Sequence, residues 1–152
     1  MHNLFPLTKS YLFITNIVMK VNYTLLCGGV GSRLWPMSTH EKPKQFHSLL
    51  SNNCILEETL LRIPKNSQVT LVSNIKYKDK MQMIVDKHKH QYNIHAIYEP
   101  CSKNTSPAIL MAAIHNLNRG NEVMVVLPSD HYVDIKEFNK SIEKGSNCCL
   151  KY

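Results

Sequence analysis

Leu25-Leu26-Cys27-Gly28-Gly29-Val30-Gly31-Ser32-Arg33 runs from an apolar segment into a turn with three glycines and then an arginine, and Lys44 follows eleven residues later. Glycines allow close backbone approach to a ligand and turn N–H groups toward anionic oxygens. Arg33 adds a planar donor fork and Lys44 a mobile point charge, the two usual ways of holding phosphate. Together these residue types suit a nucleoside triphosphate. Two commoner phosphate loops do not fit. No G-x-x-x-x-G-K-[ST] run occurs, and a dinucleotide fingerprint starting at Gly29 would need glycine where Leu34 stands. Taken alone, the loop also reads as a glycine-rich turn that holds no ligand.

Asp130, in Pro128-Ser129-Asp130-His131, follows the apolar run Val123-Met124-Val125-Val126-Leu127. A carboxylate there can reach Mg²⁺, a hard cation that prefers oxygen ligands; the structural alternative is a helix cap or Asx turn. Asn104 and Thr105, at the start of a capped helix, suit base- or ribose-side contacts. Lys42 competes with Lys44 for any phosphate. His88 and His90 stand two apart, so a helix points them to different sides. They read as part of a solvated face rather than a metal pair.

These residues need elements to hold them. Tyr23–Cys27, Gln68–Val72, Ile94–Tyr98 and Glu122–Leu127 read as strands. Helices are expected over Ile55–Arg62, Asp79–His90, from a Ser106 cap with Pro107 in its first turn to about Leu117, and over Ile135–Lys144, stopped at Gly145. The alternation implies an α/β fold, a three-layer α/β/α sandwich of Rossmann-like type on a mainly parallel sheet. Ligands then bind at the carboxyl ends of the strands. Both the glycine loop and Asp130 fall at such ends.

Composition is compatible with this. The chain has 152 residues, 43% hydrophobic and 19% charged, which fits a folded domain rather than a disordered segment. Eighteen Lys and Arg against eleven Asp and Glu give +7, a balance that suits an anionic ligand. The basic residues are spread out, without an arginine-rich arm or aromatic interleaving, so nucleic acid is not the expected partner. Five cysteines without C-x-x-C spacing fit a reducing, cytoplasmic setting, with Cys27 a small buried hydrophobe. Tyr11 to Met19 is apolar but too short to span a bilayer and lacks a small-residue cleavage site. No membrane partner is expected.

Three ordered blocks carry a resemblance. Gly28-Gly29-Val30-Gly31-Ser32-Arg33-Leu34-Trp35-Pro36-Met37-Ser38 with Pro43-Lys44-Gln45-Phe46, then Glu99-Pro100-Cys101-Ser102-Lys103-Asn104-Thr105-Ser106-Pro107-Ala108-Ile109, then Leu127-Pro128-Ser129-Asp130-His131 resemble bacterial mannose-1-phosphate guanylyltransferases. The likeness covers about Tyr23 to Phe138. It implies a GT-A type nucleotidyltransferase domain. The implied reaction is attack of a sugar 1-phosphate on the α-phosphorus of GTP, giving GDP-mannose and diphosphate with Mg²⁺ as cofactor; the alternatives are another sugar-1-phosphate nucleotidyltransferase or a non-catalytic nucleotide-binding remnant. By resemblance, Gly28, Gly29, Gly31 and Ser32 wrap the triphosphate. Arg33 and Lys44 act on its phosphates, Asn104 and Thr105 lie on the nucleoside side, and Asp130 is one of two metal aspartates.

Departures from the family pattern set further expectations. Thr39 replaces a common arginine. Gly145 to Tyr152 does not continue the pattern, so the resemblance implies a domain truncated at its C-terminus, lacking most of the acceptor half and the second metal aspartate. Residues 1–19 are expected to be an extension outside the fold, 20–145 the nucleotide-binding half, and 146–152 a tail. Such a sheet exposes an apolar edge, which implies possible self-association.

Overall fold

The computed structural model describes residues 11–14, 17–29, 31, 34–49, 51–101, 103–121, 123–131 and 133–149. Its strands are β1 (Tyr11–Ile14), β2 (Ile17–Leu26), β3 (Gln68–Asn74), β4 (Asn93–Glu99) and β5 (Val123–Pro128). The helices are α1 (Ile55–Leu60), α2 (Lys78–His88), α3 (Thr105–Asn118) and α4 (Ile135–Cys149). Four strands lie parallel in the order β4-β3-β2-β5, with Leu25 of β2 level with Leu71 on one side and Leu127 on the other. The chain therefore steps outward from β2 to β3 and β4, then returns to β5 on the opposite side. That reversal places a topological switch point at the end of β2.

Both faces of the sheet are covered, as the parallel arrangement requires. Val21, Tyr23, Leu25, Val69 and Leu71 point to one face and pack with Leu56 and Leu60 of α1, Met81 and Ile84 of α2, and Ile142 of α4. On the other face Val72, Leu26, Ile97 and Met124 meet Ala108 and Ala112 of α3. The three-layer expectation holds. Under α3, however, the sheet is polar. Asn116 donates to Asn22 Oδ1 at 3.1 Å and to Thr24 Oγ1 at 3.2 Å, and accepts from Thr70 Oγ1 at 3.2 Å. All four residues are buried. Buried amides and hydroxyls satisfied in this way fix helix to sheet in one register.

The structure differs from the sequence expectation in four places. Residues 1–19 were expected to stand apart, yet Tyr11–Ile14 pairs antiparallel with the Ile17–Lys20 end of β2. Two β-rich apolar runs so close in sequence readily form a hairpin. Gly145 does not stop α4, because the inward-facing stripe of buried Phe138, half-buried Ile142 and buried Ser146 continues past it at helical spacing. The cap of α3 is Asn104 rather than Ser106. His88 lies buried against Glu57 at 3.1 Å, away from any solvated face, while His90 is exposed as expected.

Glu57 explains the burial of His88. Its carboxylate accepts from Lys87 at 2.6 Å, from the Cys54 backbone N–H at 2.8 Å and from His88. Burial alone would raise its pKa, but these donors, Lys87 foremost, outweigh burial and bring it down to about 2. Glu57 also closes a capping box at the start of α1.

Candidate functional site

The loop after β2 is pinned at its root. Cys27 N–H donates to Val72 O at 2.7 Å, and Cys27 O accepts from Gln45 Nε2 at 2.7 Å and from Ser73 Oγ at 3.4 Å. Gln45, from the segment Pro43–Phe46, is fully buried. It ties that segment to the loop root. Cys27 is fully buried as expected, and burial pushes its thiol far above the ordinary range.

Past the root, Gly28 and Gly29 border a cavity of about 290 Å³. Leu26, Val72 and Ala108 form its apolar walls, and Glu99, Asn104 and Thr105 its polar ones. A Cβ on Gly28 would stand 3.3 Å from Glu99 Oε2, so glycine lets the carboxylate sit against the loop. Glu99 ends β4 and is only 5% exposed, and burial pushes its carboxyl up. The first turn of α3 contains no acidic residue, and its free N–H groups open beside Thr105.

Asn104 has φ 68° and ψ −171°, a backbone region nearly confined to glycine. Its side chain makes no capping bond. A strained residue at a cavity, with its amide not used to cap the helix, is a recurring mark of a binding site.

Lys44 and Asp130 meet directly as an ion pair, each side chain 26% exposed. Lys42 is exposed, so Lys44 is the lysine turned inward. Gly31, at φ +74°, underlies the Lys44 stem: a Cβ there would stand 2.8 to 2.9 Å from Lys44 Cβ, Cγ and Cδ. From the other side α1 and the residues just after it hold the Asp130 segment. Thr59 Oγ1 donates to Ser129 O at 3.1 Å, and the Arg62 guanidinium donates to His131 O. Beyond Asp130 a wider groove of about 730 Å³ runs between α1 and residues 133–136, floored by Ile55, Leu61, Val133 and Ile135.

Of the sequence-derived site residues, the structure thus places Gly28, Gly29, Asn104 and Thr105 around one cavity, and Gly31, Lys44 and Asp130 in one contact. Ser32 and Arg33 lie outside the described residues. Among the described residues no group of three or more His, Cys, Asp or Glu could by itself hold a metal ion. Glu99 was missed as a site residue. Its signal was an acid closing an apolar strand at the sheet's carboxyl edge, where ligands of such folds bind.

Residues 23–147 match the nucleotidyl transferase family. The chain is 36% identical over 115 residues to mannose-1-phosphate guanylyltransferase 2 of Escherichia coli O157:H7, covering 72% of this chain and 23% of that protein. It is 31% identical over 134 residues to alginate biosynthesis protein AlgA of Pseudomonas aeruginosa, covering 84% and 27%. Among solved structures it resembles one described as mannose-1-phosphate geranyltransferase from Thermus thermophilus. There the TM-score is 0.72 and the identity 30%, over 83% of this chain and 37% of that one. A Helicobacter pylori mannose-6-phosphate isomerase structure, at TM-score 0.65 and 24% identity over 88% and 47%, shares the fold. The chain spans about a quarter of the length of the curated relatives it matches. Among the described residues no helix is long and apolar enough to cross a membrane.

Proposed function

Because the chain belongs to the nucleotidyl transferase family, we propose that the cavity at the end of β2 binds the nucleoside of GTP and that the loop from Gly28 to Arg33 receives its phosphates. The observation that carries this reading is the Glu99 carboxylate against Gly28. It offers two acceptor oxygens at the cavity wall. Guanine presents adjacent donors, N1–H and N2–H₂, that match a carboxylate, whereas adenine sets an acceptor beside its amino group. Asn104 and Thr105 stand on the nucleoside side of the same cavity.

The reaction is transfer of the guanylyl group to a sugar 1-phosphate, with mannose 1-phosphate the acceptor named for the relatives. The attacking phosphate oxygen is already an anion, so no strong base is required. The work lies in holding two anions in line and in neutralising charge on the departing diphosphate. Arg33 and Lys44 supply positive charge, and the glycine loop supplies backbone donors. Asp130 offers one carboxylate beside the phosphate loop. This fits Mg²⁺, which is commonly held by one or two carboxylates together with substrate phosphates. Bound there, Mg²⁺ would offset phosphate charge.

The outer edge of β5 has no partner strand among the described residues, and Leu110, Ile114 and Leu117 point outward from α3. An open strand edge and exposed apolar side chains each favour self-association, which sedimentation would read as a concentration-dependent mass.

Calorimetric titration with GTP, ATP, CTP and UTP tests the reading. GTP should bind tightest, and Glu99→Gln should lose roughly tenfold or more for GTP, a charge-assisted hydrogen bond being worth about 1.5–3 kcal/mol, with ATP little changed. Equal loss for all four nucleotides would refute guanine selection by Glu99. No binding of any nucleotide by the folded chain would refute the site.

A further inference from the structure

Lys44 and Asp130 come from segments far apart in sequence, and each is held from behind. Gly31 leaves room for the Lys44 stem that any Cβ would fill. Gln45, its neighbour, is locked to Cys27 O at 2.7 Å. Thr59 of α1 and Arg62 just after it hold Ser129 O and His131 O on either side of Asp130. Such a pair is preorganised, unlike a mobile surface ion pair whose side chains must be ordered on contact.

Pairing neutralises Asp130. A divalent cation approaching from water would have to displace the ammonium. It would find no ready-made cluster of three acidic, histidine or cysteine ligands among the described residues to replace its lost water. A phosphate chain changes the balance, because it offers Lys44 an anionic partner of its own and brings further oxygens for the metal.

We propose that Lys44 guards Asp130: in the free protein Asp130 is closed to divalent cations, and it becomes a metal ligand only when a nucleotide's phosphates draw Lys44 away. The order of assembly follows: nucleotide and metal arrive together, and metal alone is refused. This rests on the proposed reading of the glycine loop as a phosphate site.

Mn²⁺ alone is the probe, its free fraction followed by electron paramagnetic resonance with the whole chain and no nucleotide. Wild type should bind weakly. Lys44→Met should bind about fivefold more tightly, the release of an ion pair worth about 1 kcal/mol, and Lys44→Met with Asp130→Asn should return to the wild-type level. Gly31→Ala provides a second route, since its methyl pushes the Lys44 stem off Asp130 while keeping the charge, and it should also raise Mn²⁺ affinity. Far-UV circular dichroism checks that each variant is folded. In the same samples, with EDTA, Lys44→Met should weaken GTP, the opposite sign to its effect on Mn²⁺. Equal Mn²⁺ affinity in wild type and in both single variants would overturn the guard, as would a gain that survives Asp130→Asn. Failure of wild type to bind GTP would instead overturn the nucleotide site, and the Mn²⁺ comparison judges the guard separately.

Discussion

Asn104→Gly should make the protein more stable and its nucleotide weaker. Asn104 is held at φ 68°, ψ −171°, where a non-glycine residue is strained by about 1–3 kcal/mol. Glycine relieves that strain but makes the unfolded chain more flexible, at a cost of roughly 0.5–1 kcal/mol. No cap is lost, because the Asn104 side chain makes no bond to the helix it precedes. The net gain is therefore about 0–2.5 kcal/mol. With a urea slope of about 2 kcal/mol/M, typical for a small domain, the midpoint rises by up to roughly 1.2 M. The amide that lines the cavity is gone, however, and a hydrogen bond to ligand is worth about 0.5–1.5 kcal/mol, so GTP should bind roughly two- to twelvefold more weakly. Urea melts followed by circular dichroism and a parallel GTP titration read both effects. A lowered midpoint would show that no strain is stored at Asn104. Unchanged GTP affinity would show that its side chain stands outside the site.

Glu57→Gln should destabilise the protein at pH 7 by ~3 kcal/mol, since a carboxyl ordinarily near 4.5 is held at about 2. A lowered pKa gives stability that is present above 4.5 and lost as pH falls through 2, so the gap between wild type and variant should close across that range; a gap constant with pH contradicts the assignment. Asn116→Ala should lower stability by about 2–4 kcal/mol, because Asn22, Thr24 and Thr70 are left buried with fewer partners. Adding Asn22→Ala should cost less than its single effect predicts, and strict additivity in urea melts would argue against a shared network.

The layer order, the parallel sheet and the glycine turn were legible because each rests on local signals: apolar runs, alternation and turn residues. The polar interlayer was not. Asn22, Thr24 and Thr70 alternate with apolar residues along their strands and so share one face of the sheet. There Asn22 donates to Thr70 Oγ1 at 3.1 Å and accepts from Thr24 Oγ1 at 2.9 Å, and Asn116, 94 residues from Asn22, closes the buried network from α3. His88 was misread for the same reason, its burial depending on Glu57 from another helix. At the site, Lys44 and Asp130 were each identified by type and motif, but their direct contact spans 86 positions and no local pattern encodes it. Gly145 misled because a helix end is decided by the packed stripe as much as by the residue that could stop it.

The most direct test of the nucleotide site is a map of backbone amide shifts on the isotope-labelled chain as GTP is added. The account predicts that the largest shifts fall at Gly28, Gly29, Gly31, Asn104 and Thr105, with Glu99 among them, and saturate at one site. Shifts centred instead on the groove between α1 and residues 133–136, or no shifts at millimolar GTP from a folded chain, would contradict it.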